Sequence, residues 1–201
     1  MGIQSDVQVG FIADENAADP DRLVTAARPN TSATMATTTF LGGGARNVTV
    51  TTTGTGDNAK TCTITGTDVF GNSITEVIVS TGSAEAVAGA KLFLTVSGVE
   101  CSAQYAANIT VGSGSLCASA VAGGNRTRMK GYSIVSAGTA GLVDFYDGTP
   151  EDGTIIFKAQ TLGTDNTTID NTIPDEGILF SSGLAISYTV ATVVLANIFF
   201  A

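Results

Sequence analysis

From Ala36 onward, apolar and polar residues alternate in short runs, and a period of two predicts strands that bury one face. In "RNVTVTTTG", Val48 and Val50 alternate with Asn47, Thr49 and Thr51, as in a half-buried antiparallel strand. "AKTCTITGT" repeats the pattern with Cys62 and Ile64 inward. "DVFGNS" then sets Asp, Gly and Asn where the chain must reverse, with Gly71 or Asn72 free to take positive φ. "ITEVIVS" returns with Ile74 and either Val77 or Ile78 buried, and "KLFLTVSGVECS" and "ANITVGSGS" complete a first β unit.

"VAGGNRT", Val121 to Thr127, interrupts the alternation with small and polar residues and predicts a domain boundary. Beyond it come "MKGYSIVSA", "AGLVDFYDG", "GTIIFKAQT", "NTTIDNTIP", "EGILFSS", "LAISYTVAT" and "VVLANIFFA", seven short strands at near-regular spacing. That spacing predicts a compact sandwich or jelly-roll-like barrel. The closing "ANIFF" is apolar almost to the end, which predicts a C-terminus tucked into a sheet or a subunit contact.

Residues 1 to about 35 are different in kind. "ADENAADPDRLVTAARPNTSATM" is polar, carries Pro20 and Pro29 and lacks alternation, so it predicts an extended arm with at most a short helical turn at Asp21 to Ala27. Isolated apolar anchors at Ile3, Val7, Val9, Phe11, Ile12, Leu23 and Val24 suit a segment ordered by a partner, by a neighbouring copy or by its own domain. The expected fold class is all-β: two small antiparallel β-sandwich or jelly-roll-like domains, at 36–122 and 123–201, preceded by an extended N-terminal arm at 1–35.

Composition supports strands. Apolar residues make up 43% but aromatics only 6%, with no Trp, so the cores must use Val, Ile, Leu, Ala and Thr methyls. Net charge is −9 and the nine basic residues form no run, which argues against a phosphate-tracking surface and a nucleic-acid partner. No apolar run reaches the roughly 18 residues of a bilayer span, and the N-terminus lacks a basic-then-apolar leader, so a soluble, unprocessed chain without a membrane partner is expected. "MGIQSD" begins like an acylation signal, but Asp6 stands where that signal needs Ser or Thr.

Candidate chemistry is sparse. The chain has no His, which removes His-based triads, imidazole metal ligands and near-neutral imidazole acid–base chemistry. Cys62, Cys101 and Cys117 read as small core hydrophobes, with an intersubunit disulfide as the alternative. "LGGGAR", Leu41 to Arg46, lacks the Gly-Lys-Ser/Thr ending of a phosphate loop and leads into a strand, so it reads as a turn. "DFYDGTPEDGT" clusters Asp144, Asp147, Glu151 and Asp152 without the ligand ladder of an EF-hand, and reads as a solvated turn with a weak divalent site as the alternative. "IPDEG", Ile173 to Gly177, is a turn in the same sense, and triplets such as "NVT" and "NRT" follow from abundant Asn and Thr. Glu85 and Glu100 would need an aromatic-lined cleft to act as a glycosidase pair, and this chain is poor in aromatics. No catalytic, cofactor-binding or metal residue is nominated, and an enzyme is not expected.

The segment "VTVTTTGTGDNAKTCTITGTDVFGNSITEVI", followed by "GAKLFLTVSGVECSAQYAANITVGSGS", resembles a module of tailed-bacteriophage virion structural proteins. There a "TGTD..GN..TE.I" hairpin precedes a "K.F.TV..V" strand and a closing "VTVG". The second half, with "GLVDFYDGT", "GTIIFKAQT" and "IPDEGILFSSGLAISYT", resembles a small β-sandwich of phage head and tail accessory proteins. The resemblance implies a virion structural role executed by surfaces. With the polar arm, two edge-rich β domains and an acidic exterior, the expected role is a capsid decoration or cement protein on the head exterior, or alternatively a head-fibre, tail-associated adhesin or connector component, with the major capsid protein or other virion proteins as partners and no cofactor. The apolar C-terminal strand and two small domains short of aromatic core predict a homo-oligomer, a trimer.

Overall fold

The computed structural model describes residues 6–12 and 17–201. The fold is all-β: the described residues form strands, turns and two single-turn 3-10 segments. In chain order the first strands are β1 (Gln8–Ile12), β2 (Val24–Ala27), β3 (Ala45–Thr52), β4 (Thr61–Thr67) and β5 (Ser73–Val79). They are followed by β6 (Ala86–Phe93), β7 (Thr95–Cys101), β8 (Ile109–Ala122), β9 (Thr127–Ser136) and β10 (Leu142–Asp147). The last are β11 (Thr154–Gln160), β12 (Thr168–Thr172), β13 (Ile178–Phe180), β14 (Leu184–Thr189) and β15 (Val193–Phe200). Two compact units emerge: one ends at Cys117, and the other joins β1 to Ala118–Ala201, so that β8 gives its first residues to one and its last to the other.

In the first unit, β3 lies between β6 and β8, β2 adds to β8, and a three-stranded sheet runs in the order β5-β4-β7. Its core takes Val48 and Val50 from β3, Cys62 and Ile64 from β4, Ile74 and Ile78 from β5, and Phe93, Val96, Val99, Ile109 and Val111. The β4–β5 hairpin keeps the predicted period, and of its two candidates Ile78 is the buried one while Val77 faces solvent. Gly71 takes the positive φ of its turn, at 85°. Asp68 fixes that turn: its carboxylate accepts the Phe70 and Asn72 amides at 2.8 and 2.9 Å and the Asn72 side chain at 2.9 Å.

Two expectations change here. β3 is buried on both faces along most of its length, and Arg46 and Asn47 on it find partners. Asn47 donates to the Gly89 carbonyl at 3.2 Å and accepts the Leu116 amide at 3.0 Å, and buried Arg46 donates to the Gly114 carbonyl at 3.0 Å. In place of a helical turn, the chain after Pro20 makes a bend and then strand β2, since Leu23 and Val24 pair with Val111 and bury completely.

In the second unit, one sheet runs β1-β15-β9-β12 with β13 also on β9, and β10 pairs with both β11 and β14. All seven strands predicted beyond Thr127 are present as β9 to β15. Tyr132 of β9 meets Phe145 of β10 and Phe157 of β11 at ring-centroid distances of 5.9 and 5.7 Å, which closes a sandwich-like core around a few aromatics. β15 runs between β1 and β9, and Ala201 exchanges backbone hydrogen bonds with Arg128 at 2.8 and 3.0 Å, so the C-terminus is held inside the sheet.

Candidate interaction surface

β1 is the element that sequence reading left without a sheet. It pairs antiparallel with β15, Val9 opposite Phe199 and Phe11 opposite Asn197. Alternation along the strand then decides what each face does. Ile12 turns inward and is buried, and Gly10 turns inward against Val121, where an added Cβ would come within 2.7 Å of Cγ1. Val7, Val9 and Phe11 turn outward, with exposures of 44%, 55% and 67%. Phe199, on the same face of β15, is half-buried beside them. Of the other arm anchors, Leu23 and Val24 belong to the first unit's core, and Ile3 lies outside the described residues.

The two borders of this sheet differ in chemistry. β12, on the far side of β9, reads "TIDNT" and presents Asp170, Asn171 and threonines to solvent, the usual protection against pairing with another chain. β1 carries "QVGFI", without a charge, and its exposed face is apolar. At the start of β1 the surface dips into a recess of about 410 Å³ lined by Gln8, Val121, Asn125, Arg126, Phe200 and their neighbours. An apolar strip thus runs along an uncharged edge, next to a recess with one guanidinium.

Two of the carboxylates weighed for chemistry, Asp144 and Asp147, have structural employment. Asp144 pairs with Lys158, its register partner on β11, at 3.0 Å, and Asp147 accepts the Ser182 amide at 2.6 Å. Asp152 lies in the turn between β10 and β11, where its amide meets the Thr149 hydroxyl at 3.3 Å. Among the described residues, no group of three or more His, Cys, Asp or Glu side chains gathers for a metal ion. Glu85 lies exposed ahead of β6, while Glu100 lies exposed on β7, a strand of the other sheet. "LGGGAR" forms a turn with Gly42 and Gly43 at positive φ and delivers Arg46 into β3.

Asp57 was not singled out by the sequence, yet it is the most completely held carboxylate. It is fully buried and accepts Lys60 Nζ at 2.7 Å, Thr52 Oγ1 at 2.9 Å and the amides of Ala106 and Ala107 at 2.6 and 3.1 Å. Burial alone would raise its pKa, but Lys60, the two amides and the hydroxyl together hold the carboxyl well below the usual carboxylate range. Its partners come from three separate loops and strands, so no local motif announces it. The arrangement ties loops together and leaves no face of the carboxylate for a ligand.

No protein-family model, curated protein or solved structure matches the chain.

Proposed function

We propose that this chain is a structural component of a tailed-phage particle, a decoration protein seated on the head exterior that uses the β1 edge to contact a capsid subunit or a neighbouring copy. The observation that carries the reading is the unlike treatment of the two borders of one sheet, polar at β12 and apolar at β1. A lone soluble domain gains nothing from exposing Val9 and Phe11 together, whereas a protein repeated by symmetry gains that burial at every copy. The phage assignment itself rests on the resemblance of the β4–β5 hairpin and of the second half to virion structural proteins. An acidic chain with net charge −9 also suits a position where it does not compete for packaged DNA.

Immunogold labelling of the particle whose genome encodes the chain tests the assignment. Dense labelling over the whole head supports it. Labelling confined to a tail tip or a single vertex, or a particle without the chain, overturns it.

A further inference from the structure

Cys62 and Cys101 are direct register partners on β4 and β7. The Ser102 amide donates to the Thr61 carbonyl at 3.0 Å, while the Cys101 amide turns the other way, to the Thr31 carbonyl. The two cysteines therefore occupy a non-hydrogen-bonded site of the ladder, where opposed Cα atoms lie about 4.5 Å apart and side chains approach most closely. That separation falls within the roughly 4.4–6.8 Å that a disulfide spans. Their Sγ atoms are 3.7 Å apart, and the Tyr105 hydroxyl stands 3.3 Å from Cys62 Sγ.

Access is unequal. Cys62 is sealed in the core, but Cys101 is half-buried and lines a surface recess of about 360 Å³ with Thr31, Ser32 and Glu100. The Glu100 carboxylate makes that recess unfavourable for an anionic reagent and leaves it open to a small neutral one.

We propose that Cys62 and Cys101 are a redox-active pair that closes into an intrachain disulfide when a hydroperoxide enters the Cys101 recess. The hydrogen bonds that Cys62 shares with Cys101 and Tyr105 hold its thiol below its usual pKa, and the bond between the two cysteines pushes Cys101 up. With hydrogen peroxide as the reagent, the exposed Cys101 sulfur, its thiol proton passed to water, attacks a peroxide oxygen; the O–O bond breaks, and the departing hydroxide takes up that proton to give water and leaves a sulfenic acid on Cys101. Cys62 sulfur then attacks Cys101 sulfur, the S–O bond breaks, and the second hydroxide leaves as water with the proton of the Cys62 thiol. Two electrons pass from the thiol pair to the peroxide.

The test uses the full chain, reduced and then treated with hydrogen peroxide, alkylated under denaturing conditions and peptide-mapped by mass spectrometry. Two of the three thiols should be lost together, in one species joining the Cys62 and Cys101 peptides, with Cys117 still alkylated and dithiothreitol restoring all three. The melting point of the oxidised chain should rise by about 10 °C, because a 39-residue separation is cross-linked. In Cys62→Ser the reaction should stop at a dimedone-reactive sulfenic acid on Cys101. If that variant fails to fold, Cys101→Ser, altered at the more exposed position, should show no loss of the Cys62 thiol. Peroxide treatment that leaves both cysteines alkylatable, or that links Cys101 only to a second chain, overturns the proposal.

Discussion

At the scale of single residues, the fold depends on carboxylates that sit where backbone amides need them. Asp57 is the strongest case. Asp57→Ala would strand the Lys60 ammonium, two amides and a hydroxyl, and should cost about 3–5 kcal/mol, read as a lower midpoint in urea. Because the folded-state pKa is depressed, this stability is fully present above the ordinary value of 3.8 and is lost as pH falls below it toward the folded-state pKa. Asp57→Asn should therefore flatten the acid limb of the stability profile between about pH 4 and pH 2. An unchanged acid limb would contradict the role given to this residue.

Glu76 works in the same way between sheets. Its carboxylate accepts the Ala90 amide at 2.7 Å and the Lys91 amide at 3.3 Å, which joins β5 to β6. The approach leaves no room at Gly89, where an added Cβ would run into Glu76 Oε2. Gly89→Ala should cost about 1–2 kcal/mol in the native background and much less in Glu76→Ala, a coupling of about 1 kcal/mol in a double-mutant cycle. Additive effects would show that Glu76 does not occupy the space above Gly89.

At the scale of elements, the hairpin of β4 and β5 explains its own sequence. Asp68, Gly71 and Asn72 make its turn, Ile64, Ile74 and Ile78 make its buried face, and Glu76 fastens it to the next sheet. Asp68, Gly71, Asn72 and Glu76 of the "TGTD..GN..TE.I" pattern are thus architectural. β1 follows another logic, since Val7, Val9 and Phe11 on one of its faces stay exposed. Phe11→Asp together with Val9→Asp should leave the melting point within a few degrees, as for exposed substitutions that cost within about 0.5 kcal/mol each. The same double variant should abolish self-association in analytical ultracentrifugation, where the parent chain is expected as a trimer. A double variant that still sediments as the parent would move the contact elsewhere.

At the scale of the whole molecule, alternation made the strands legible wherever one face was buried and the other more open, as along β4, β5, β9 and β10. It was silent where the period meant something else. β3 is buried on both faces, and its Asn47 and Arg46 satisfy partners more than forty residues away in sequence. β1 and β2 find their sheets through long-range pairing to β15 and β8, which no local window contains. β8 continues through Val121 and Ala122, so small residues that read as a break extend the strand instead. The Cys62–Cys101 apposition depends on the register of β4 against β7, and register is fixed by burial and turn geometry rather than by either segment alone. For the interaction surface, the apolar anchors were legible as residues, but which of them remain outside appeared only once β1 had a neighbour.

The most direct test of the central claim is a reconstruction of the assembled particle at a resolution that traces strands. The account predicts many copies on the outer face of the head, each with Val9 and Phe11 of β1 buried against a capsid subunit or an adjacent copy. Copies whose β1 edge faces open solvent throughout the particle, or a head surface on which the chain is missing, would contradict it.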